Sequence, residues 1–391
     1  MEIRWREGIK RMKLLFLNYE FPPLGGGAGN ATKNLAYAFT QSGHEVTVIT
    51  TWFKGLNADE VCDGYRILRV RSRRKRLDRS NTMEMLSYVF HARRRASRLM
   101  HEEGAPDAVI CFFALPTGLV AFHLRKRFGI PYILSLRGGD VPGFLPDELG
   151  LLHQLTAPLS ARIWKYASHI VANSRGLQEL AEHTATRFGK RVAYIPNGVD
   201  AETFRPALRP PDTFTILHVG RLTAQKGTAQ LLEALRILHD DAEHEAFRCI
   251  IAGDGPLRVE LERQAQRLDL GKHIVFLGWV GRAELPALYR RASVFVLPTA
   301  EEGMANVILE AMASGLPIIT TNARGNEELV EDGVNGVLLS SREPATIAAA
   351  LRLFQDDSAR TARTGQEGRK RSMQYSWQAS ATQYIDTLSR I

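Results

Sequence analysis

The chain has 391 residues, of which 45% are hydrophobic and 24% are charged, and its net charge is +9. This composition is that of a globular protein long enough for two domains, which excludes a disordered chain, a collagen and a membrane transporter. Two of the three cysteines (Cys62, Cys111 and Cys249) lie in apolar runs, and no C-x-x-C pair occurs, so we expect reduced, buried thiols and no zinc ribbon.

Short apolar segments alternate with amphipathic segments along the first 200 residues. They predict strands at residues 14–17, 45–50, 108–113, 132–135, 169–172 and 192–195, with helices at 31–42 and 177–187 among the segments between them. The charged residues 1–11 lack the apolar core of a signal peptide, so we expect either an extension before the first strand or a true start at Met12. The longest apolar stretch, residues 108–124, is interrupted by Pro116 and Gly118 and is too short for a membrane span.

The same alternation resumes in the second half of the chain. Strands are predicted at residues 215–219, 248–252, 274–277, 294–297, 318–321 and 337–339, separated by helices such as 229–239, 257–268 and 308–314. Alternating strands and helices imply parallel sheets covered by helices on both faces. We therefore predict an α/β protein of two doubly wound domains, residues 12–204 and 212–372, joined by the proline-rich segment 205–211, with the main site in the cleft between them.

A glycine-rich loop follows the first predicted strand. Gly25, Gly26 and Gly27 would let backbone N–H groups approach a phosphate at the start of the next helix. The spacing is not G-x-G-x-x-G, and Thr51 and Trp52 end the second strand without an acidic residue for a ribose, which disfavours a dinucleotide site. A flexible turn is the alternative interpretation.

Two cations follow the first strand of the second half. Arg221 and Lys226 emerge at the carboxyl end of a strand, just before a helix, where they suit a diphosphate. Ordinary surface cations are the alternative interpretation.

Two carboxylates flank a helix start later in the chain. Glu302 precedes the helix, and Glu310 lies about one turn inside it, so one carboxylate can face a sugar and the other a ribose, with a diphosphate between them at the helix terminus. The turn that would cap this helix, and the first helical position, are Gly303, Met304, Ala305, Asn306 and Val307. The alternative is a helix with ordinary acidic residues near its start.

Taken together, these motifs resemble the retaining nucleotide-sugar glycosyltransferases of glycosyltransferase family 4, which have the GT-B fold. The family's E-x7-E motif is similar to Glu302 and Glu310, and its G-R-L and K-G elements are similar to residues 220–222 and to Lys226 with Gly227. The resemblance covers nearly the whole chain from Met12. It implies a transferase of surface-glycan or glycolipid synthesis, with a final segment, residues 373–391, that packs as a helix on the N-terminal domain.

The resemblance also implies roles for the motif residues. Arg221 and Lys226 would bind the donor diphosphate, Glu302 the transferred sugar, and Glu310 the ribose. The remaining donor contacts would come from Gly25 and Gly26 of the glycine loop, from residues 303–307, and from Val280, the expected contact of the base. Front-face attack, with no metal and no cofactor besides the nucleoside-diphosphate sugar, is the implied mechanism; no D-x-D motif occurs.

One position departs from the family pattern. Arg137 stands where many members have histidine, and arginine cannot act as a base at pH 7. We expect Arg137 to bind phosphate or an anionic acceptor, and Asp140 to orient the acceptor or accept its proton. A buried pair between Arg137 and Asp140 is the alternative.

Positive charge is concentrated in the first half of the chain, where residues 1–200 have 29 Lys and Arg against 18 Asp and Glu. The densest runs, residues 69–79 and 93–98, suit an anionic or lipid-linked acceptor or the cytoplasmic face of an anionic membrane, whereas a solvated surface is the alternative. No nucleic-acid-binding motif accompanies the charge, so nucleic acid is not expected as a partner. A nucleotide-sugar epimerase and a non-catalytic scaffold remain alternatives to the transferase.

Overall fold

The computed structural model describes residues 11–77, 80–241 and 246–391, in which the chain forms two compact units. The first unit contains the described residues up to Ala172, together with Gln178–Ile195 and Ala381–Ile391; the second contains Asn173–Leu177 and Pro196–Ser380. The main boundary therefore lies before Pro196, ahead of the predicted linker, and residues 373–380 belong to the second unit. Residues 1–10 of the expected extension 1–11, and Asp78 and Arg79 at the end of the basic run, lie outside the described residues.

The first unit contains an eight-stranded sheet. Its strands are β1 (Lys13–Leu17), β2 (Glu45–Thr51), β3 (Asp59–Cys62), β4 (Tyr65–Val70), β5 (Ala108–Phe112), β6 (Tyr132–Leu136), β7 (His169–Ala172) and β8 (Val192–Tyr194). Its helices are α1 (Gly27–Gln41), α2 (Thr82–Glu103), α3 (Thr117–Phe128) and α4 (Pro146–Tyr166), while α5 (Arg175–Ala185) contains residues of both units. The strand order is β3-β4-β2-β1-β5-β6-β7-β8, and every neighbouring pair is parallel except β3 and β4.

The hairpin of β3 and β4 was not predicted from the sequence, because charged residues interrupt its apolar alternation. Arg66 in β4 forms an ion pair with Asp59 in β3 at 2.6 Å, and Arg69 pairs with Glu60 at 2.7 Å. Such pairs across a hairpin stabilise a sheet edge while charging it against further strand addition. The first residue of the predicted basic run, Arg69, thus belongs to a strand.

The second unit contains a six-stranded parallel sheet. Its strands are β9 (Phe214–Val219), β10 (Phe247–Ala252), β11 (Ile274–Gly278), β12 (Val294–Leu297), β13 (Ile318–Thr321) and β14 (Gly336–Leu339), in the order β11-β10-β9-β12-β13-β14. Its helices are α6 (Thr228–His239), α7 (Arg258–Arg267), α8 (Leu285–Arg290), α9 (Asn306–Ala313), α10 (Pro344–Gln355) and α11 (Ser358–Ser372), and α12 (Trp377–Leu388) contains residues of both units. Successive β12 residues enter different core clusters: Val294 and Val296 pack with α6 and α10, whereas Phe295 and Leu297 pack with α9. Helices therefore cover both faces of this sheet.

Each sheet winds outward in both directions from its first strand. β1 lies between β2 and β5, and β9 lies between β10 and β12. In doubly wound sheets, ligands bind at this switch point, beyond the carboxyl ends of the strands. The predicted α/β fold of two doubly wound units is confirmed. Among the helices of the described ranges, none combines the length and apolar character needed to cross a membrane.

Candidate active site

Two of the predicted site residues meet at the switch point of the second unit. Lys226 ends the 3-10 turn Ala224–Lys226 after β9, and Glu302 lies in the loop after β12. The Lys226 Nζ forms an ion pair with Glu302 Oε1, and the Thr299 hydroxyl donates to the same oxygen at 3.0 Å. The side chain of Lys226 is only 16% exposed, and that of Glu302 is only 10% exposed. The fold thus joins the predicted phosphate-binding cation to the predicted sugar-binding carboxylate.

Close backbone contacts hold the loops around this pair. Gly227 has a φ of +70°, and a Cβ there would lie 2.0 Å from the carbonyl oxygen of Pro298. Gly325 has a φ of +87°, and its Cβ would lie 1.9 Å from the carbonyl oxygen of Gly303. Only glycine avoids both the strained conformation and the clash at these two positions. The loops after β9, β12 and β13 therefore pack as one block.

Arg221 is the second predicted cation at this edge. It lies just beyond the carboxyl end of β9, and its side chain is exposed. The guanidinium of Arg221 forms no hydrogen bond or ion pair with any of the described residues, 11–77, 80–241 and 246–391. All of its donors are therefore available to an anionic ligand, which a guanidinium can bind through two parallel hydrogen bonds.

Glu310 is buried inside α9 and has two side-chain partners. The Tyr289 hydroxyl donates a hydrogen bond to Glu310 Oε2 at 3.0 Å, and the guanidinium of Arg282 forms an ion pair with Glu310 Oε1. The side chain of Glu310 is 2% exposed, whereas that of Arg282 is 37% exposed and lies over the ring of Phe204 at 4.8 Å. Burial lowers the pKa of Arg282, but the charge and hydrogen bond of Glu310 outweigh it, so the pKa rises overall. Burial first, and then the charge of Glu310, raise the pKa of Tyr289.

The sequence analysis missed Arg282 and Tyr289. Arg282 lies two residues after Val280, in the loop that follows β11, and Tyr289 lies in α8. Their positions after a strand and in an amphipathic helix are visible in the sequence, but no spacing rule connects them to Glu310. The pairing arises only when the loop after β11 packs beside α9.

The predicted donor-binding residues at residues 303–307 surround the start of α9. The helix begins at Asn306, one residue before the predicted start, and Ala305 gives it no side-chain cap. Asn197 Nδ2 donates to Asn306 Oδ1 at 2.8 Å, and the Asn197 N–H donates to Met304 Sδ at 3.3 Å. Val280 packs against the same core cluster as Met304 and Val307. Val280, Met304, Ala305 and Val307 therefore all lie in or against one hydrophobic core near the start of α9.

No metal-binding cluster accompanies these residues in the described part of the chain. No three His, Cys, Asp or Glu side chains of those ranges lie together as potential metal ligands.

The glycine loop lies at the switch point of the first unit, where it begins α1. Gly25 has a φ of +79°, and a Cβ there would lie 2.5 Å from Glu20 Oε2. The Gly25 N–H donates to the carbonyl of Leu77 at 2.9 Å, and the Gly26 N–H donates to Glu20 Oε2 at 3.5 Å. Gly26 is the N-cap of α1, and Gly27 is its first residue. In this structure the N–H groups of Gly25 and Gly26 are therefore satisfied within the first unit.

Arg137 and Asp140 lie in the loop after β6. Asp140 Oδ1 accepts hydrogen bonds from the N–H groups of Arg137 at 2.9 Å and Gly138 at 3.1 Å, and Oδ2 accepts from Ala114 N–H at 2.9 Å. Burial raises the pKa of Asp140, against the lowering effect of these backbone hydrogen bonds. Both oxygens thus organise the loop, a role that the sequence analysis did not predict.

The Arg137 side chain makes a separate set of contacts. Its Nη2 donates to Ser135 Oγ at 3.0 Å and to Tyr384 Oη at 3.5 Å, and its guanidinium lies 4.8 Å from the centre of the Phe112 ring. Burial lowers the pKa of Arg137. The backbone of Arg137 contacts Asp140, while its side chain points to Ser135 and Tyr384.

Comparison with known proteins assigns the family. The family model described as Glycosyltransferase Family 4 matches residues 25–203, and the model described as Glycosyl transferases group 1 matches residues 200–371. The chain belongs to glycosyltransferase family 4. This enzyme is 29% identical over 390 aligned residues to a glycogen synthase of Mycobacterium tuberculosis, an alignment that covers 95% of this chain and 93% of that protein.

Solved structures show the fold of the transferase. A sucrose-phosphate synthase from Thermosynechococcus elongatus superposes with a TM-score of 0.84 at 20% identity, covering 97% of this chain and 98% of that one. The Anabaena protein HepE, solved in complex with UDP and glucose, superposes with a TM-score of 0.76 at 21% identity, covering 97% and 100% of the two chains. The transferase therefore has the GT-B fold.

Proposed function

We propose that the transferase moves a sugar from a UDP- or GDP-sugar to a hydroxyl group of a saccharide or lipid-linked acceptor, with retention at the anomeric carbon and without a metal ion. The pairing of Lys226 with Glu302 at the switch point of the second unit carries this proposal. Lys226, a cation suited to a phosphate, lies beside Glu302, a carboxylate suited to sugar hydroxyls, and Arg221 is exposed in the same loop as Lys226. The complex of the similar HepE with UDP supports a uridine nucleotide.

Each donor group has a proposed partner in the second unit. Arg221 and Lys226 bind the diphosphate, and Glu302 accepts hydrogen bonds from the sugar hydroxyls. Glu310 accepts hydrogen bonds from the ribose in place of Arg282, which pairs with its Oε1 in this structure. The backbone around residues 303–307 and the positive end of α9 add further contacts to sugar and phosphate. The backbone of Val280 contacts the base.

The proposed reaction proceeds on one face of the sugar. The bond between the anomeric carbon and the diphosphate oxygen breaks, the acceptor oxygen bonds to the same face of that carbon, and the acceptor proton passes to the departing phosphate oxygen. Negative charge grows on the diphosphate as the bond breaks, and Arg221 and Lys226 stabilise it in place of a metal ion. Glu302 acts as a ligand of the sugar hydroxyls, while Lys226 and Thr299 hold its Oε1.

The first unit is proposed to bind the acceptor. The N–H groups of Gly25 and Gly26 bind a phosphate group after releasing their internal partners, and Asp140 holds the loop that presents Arg137 to an acceptor group. Because the first half of the chain is strongly basic, we propose an acceptor with anionic groups, met in the cytoplasm or at the cytoplasmic face of an anionic membrane.

A thermal-shift panel tests the donor site. UDP-, GDP-, ADP- and dTDP-sugars are added in turn at about 100 times their Kd, with and without EDTA. Binding to the folded state alone should add about 2.7 kcal/mol of stability and raise the midpoint by about 5 °C or more. We expect one nucleotide series to do so and Arg221→Gln to abolish the shift. Arg263→Gln is the matched control, since Arg263 is also exposed and lies in the same unit.

Product analysis tests the reaction itself. Proton NMR of the glycosidic product should show the same anomeric configuration as the donor, in EDTA as well as in buffer. An inverted product, or activity that EDTA abolishes and Mn²⁺ restores, would contradict the proposed mechanism. An isomerised nucleotide sugar formed without acceptor would support an epimerase, and donor binding without transfer would support a scaffold.

A further inference from the structure

An arginine-lined cavity of about 660 Å³ lies on the first unit, built only from residues of that unit. Its lining comes from the end of β4, from the second half of α2 and from α3. It includes no aspartate or glutamate but seven arginines and three histidines: Arg69, Arg71, Arg93, Arg94, Arg95, Arg98, Arg127, His91, His101 and His123. The volume is that of a site for a small molecule, which usually measures about 300–1,000 Å³.

Helix geometry explains why these cations converge. Arg94, Arg98 and His101 are spaced four and three residues apart on α2, so their side chains lie on one side of the helix. His123 and Arg127 are spaced four residues apart on α3, which packs against α2. The Arg93 guanidinium lies 3.0 Å from His123 Nδ1 and joins the two helices.

Part of this charge has no compensating carboxylate. Arg69 pairs with Glu60, and Arg95 and Arg98 share Glu102. By contrast, Arg71, Arg93, Arg94 and Arg127 form no ion pair with any aspartate or glutamate of the described ranges. Burial, followed by the charges of Arg93 and Arg127, lowers the pKa of His123, as expected next to concentrated positive charge.

We propose that this cavity is a second anion site, distinct from the donor site of the other unit, for a small ligand that carries two or more phosphate groups. Guanidinium groups bind phosphate oxygens through paired hydrogen bonds, and four arginines without carboxylate partners provide enough donors for several phosphates. Val70 and Phe90 are the only apolar residues among those that line the cavity, and the guanidinium of Arg94 lies 5.5 Å from the centre of the Phe90 ring. The ligand is therefore recognised mainly by its charge.

The shape of the site favours a discrete phosphorylated molecule over a membrane surface. The arginines line a concave space between two helices and a strand end, which can surround the phosphate groups of one molecule from several sides. A soluble oligophosphate and a phosphate-bearing lipid headgroup share the same chemistry. The experiment must therefore distinguish these two sources.

The test is isothermal titration calorimetry with sodium tripolyphosphate at low salt. The cavity variant combines Arg93→Gln, Arg94→Gln and Arg127→Gln. The matched control combines Arg162→Gln, Arg187→Gln and Arg191→Gln, which removes the same charge from exposed positions of the same unit. A third protein, Arg221→Gln, removes the free cation of the proposed donor site.

We expect the wild type, the matched control and Arg221→Gln to bind tripolyphosphate with a similar Kd, and the cavity variant to bind at least about tenfold more weakly. Raising the salt to 300 mM should weaken the wild type, because exposed charges are screened. Arg127→Gln alone should give a smaller loss in the same direction, which keeps the test valid if the triple variant does not fold. No binding by the wild type, an equal loss in the matched control, or a loss only in Arg221→Gln would overturn the proposal.

Flotation with vesicles of phosphatidylcholine containing phosphatidylglycerol separates the two sources. Vesicle binding that the cavity variant loses, without any tripolyphosphate binding by the wild type, would overturn the proposal in favour of a membrane contact. Tripolyphosphate binding in the absence of vesicle binding would support a soluble ligand.

Discussion

In the ion pair of Glu310 with Arg282, removing the arginine should destabilise the second unit more than removing the charge of the glutamate. Glu310 is 2% exposed, so removing its cation leaves a buried carboxylate with Tyr289 as its remaining side-chain partner. Breaking a fully buried pair costs about 3–5 kcal/mol, but Arg282 is 37% exposed, so water can reach the vacated space. We therefore expect Arg282→Met to destabilise the unit by about 2–3 kcal/mol.

The reverse change should be milder. Glu310→Gln keeps a polar group beside Tyr289 and leaves Arg282 in contact with water, so we expect a loss of about 1 kcal/mol. The double variant has no charge left unpaired and should also lose about 1 kcal/mol. The resulting coupling of about 2–3 kcal/mol exceeds the few tenths observed between independent sites.

Scanning calorimetry at pH 7 measures this cycle. For a unit of this size, each kcal/mol shifts the midpoint by about 2–4 °C, so Arg282→Met should lower the midpoint by about 5–10 °C. Arg263→Met, at an exposed arginine of the same unit, is the control and should change the stability by less than about 0.5 kcal/mol. The reasoning is refuted if Arg282→Met behaves like this control, or if the two single losses add in the double variant.

Three further changes test other parts of the second unit. Gly325→Ala should lower the midpoint more than Gly333→Ala, because both positions have a positive φ but only a Cβ at Gly325 meets a carbonyl. Lys226→Gln should reduce kcat/KM for sugar transfer by about 100-fold or more in a nucleotide-release assay, since it removes a cation from the departing diphosphate. Burial lowers the pKa of His218 to about 4, so the stability that the neutral ring contributes is complete above pH 6.5 and falls by about 3 kcal/mol towards pH 4.

Controls make these three results decisive. Equal midpoints for the two glycine variants would show that the loop can relieve the clash of a Cβ at Gly325 with the Gly303 carbonyl at little cost in free energy. Lys272→Gln, at an exposed lysine, should keep full activity, and an equal loss there would remove the special role of Lys226. Urea unfolding of the wild type and of His218→Gln at pH 7.5 and 4.5 isolates the histidine. If the stability of both proteins depended on pH in the same way, His218 would not be the group that causes the loss of stability at low pH.

The fold was largely predictable because parallel strands are buried on both faces. β12 and β13 have the bounds that their apolar runs predict, and the other strands of the second unit differ by one residue at an end. The β3 and β4 hairpin was missed because its stability depends on pairs such as Arg66 with Asp59, which are visible only after the strands are aligned. Hydrophobic periodicity does not report charge pairing.

The site was predictable only in part, for a related reason. Spacing placed Lys226 and Glu302 at strand ends, and the order of strands then brought them together. By contrast, Arg282 reaches Glu310 from a loop whose path no motif specifies. The contact of the Gly25 N–H with Leu77 likewise depends on where a distant basic segment lies.

The hydrogen bond between Ser135 and Tyr384 constrains how the chain can be made and divided. These hydroxyls lie 2.7 Å apart but 249 positions apart in the sequence, and both belong to the first unit. During synthesis, the second unit is complete before Tyr384 leaves the ribosome, so the first unit to begin folding is the last to finish. A fragment ending at residue 195 would lack this contact and all the residues that the first unit takes from positions 381–391.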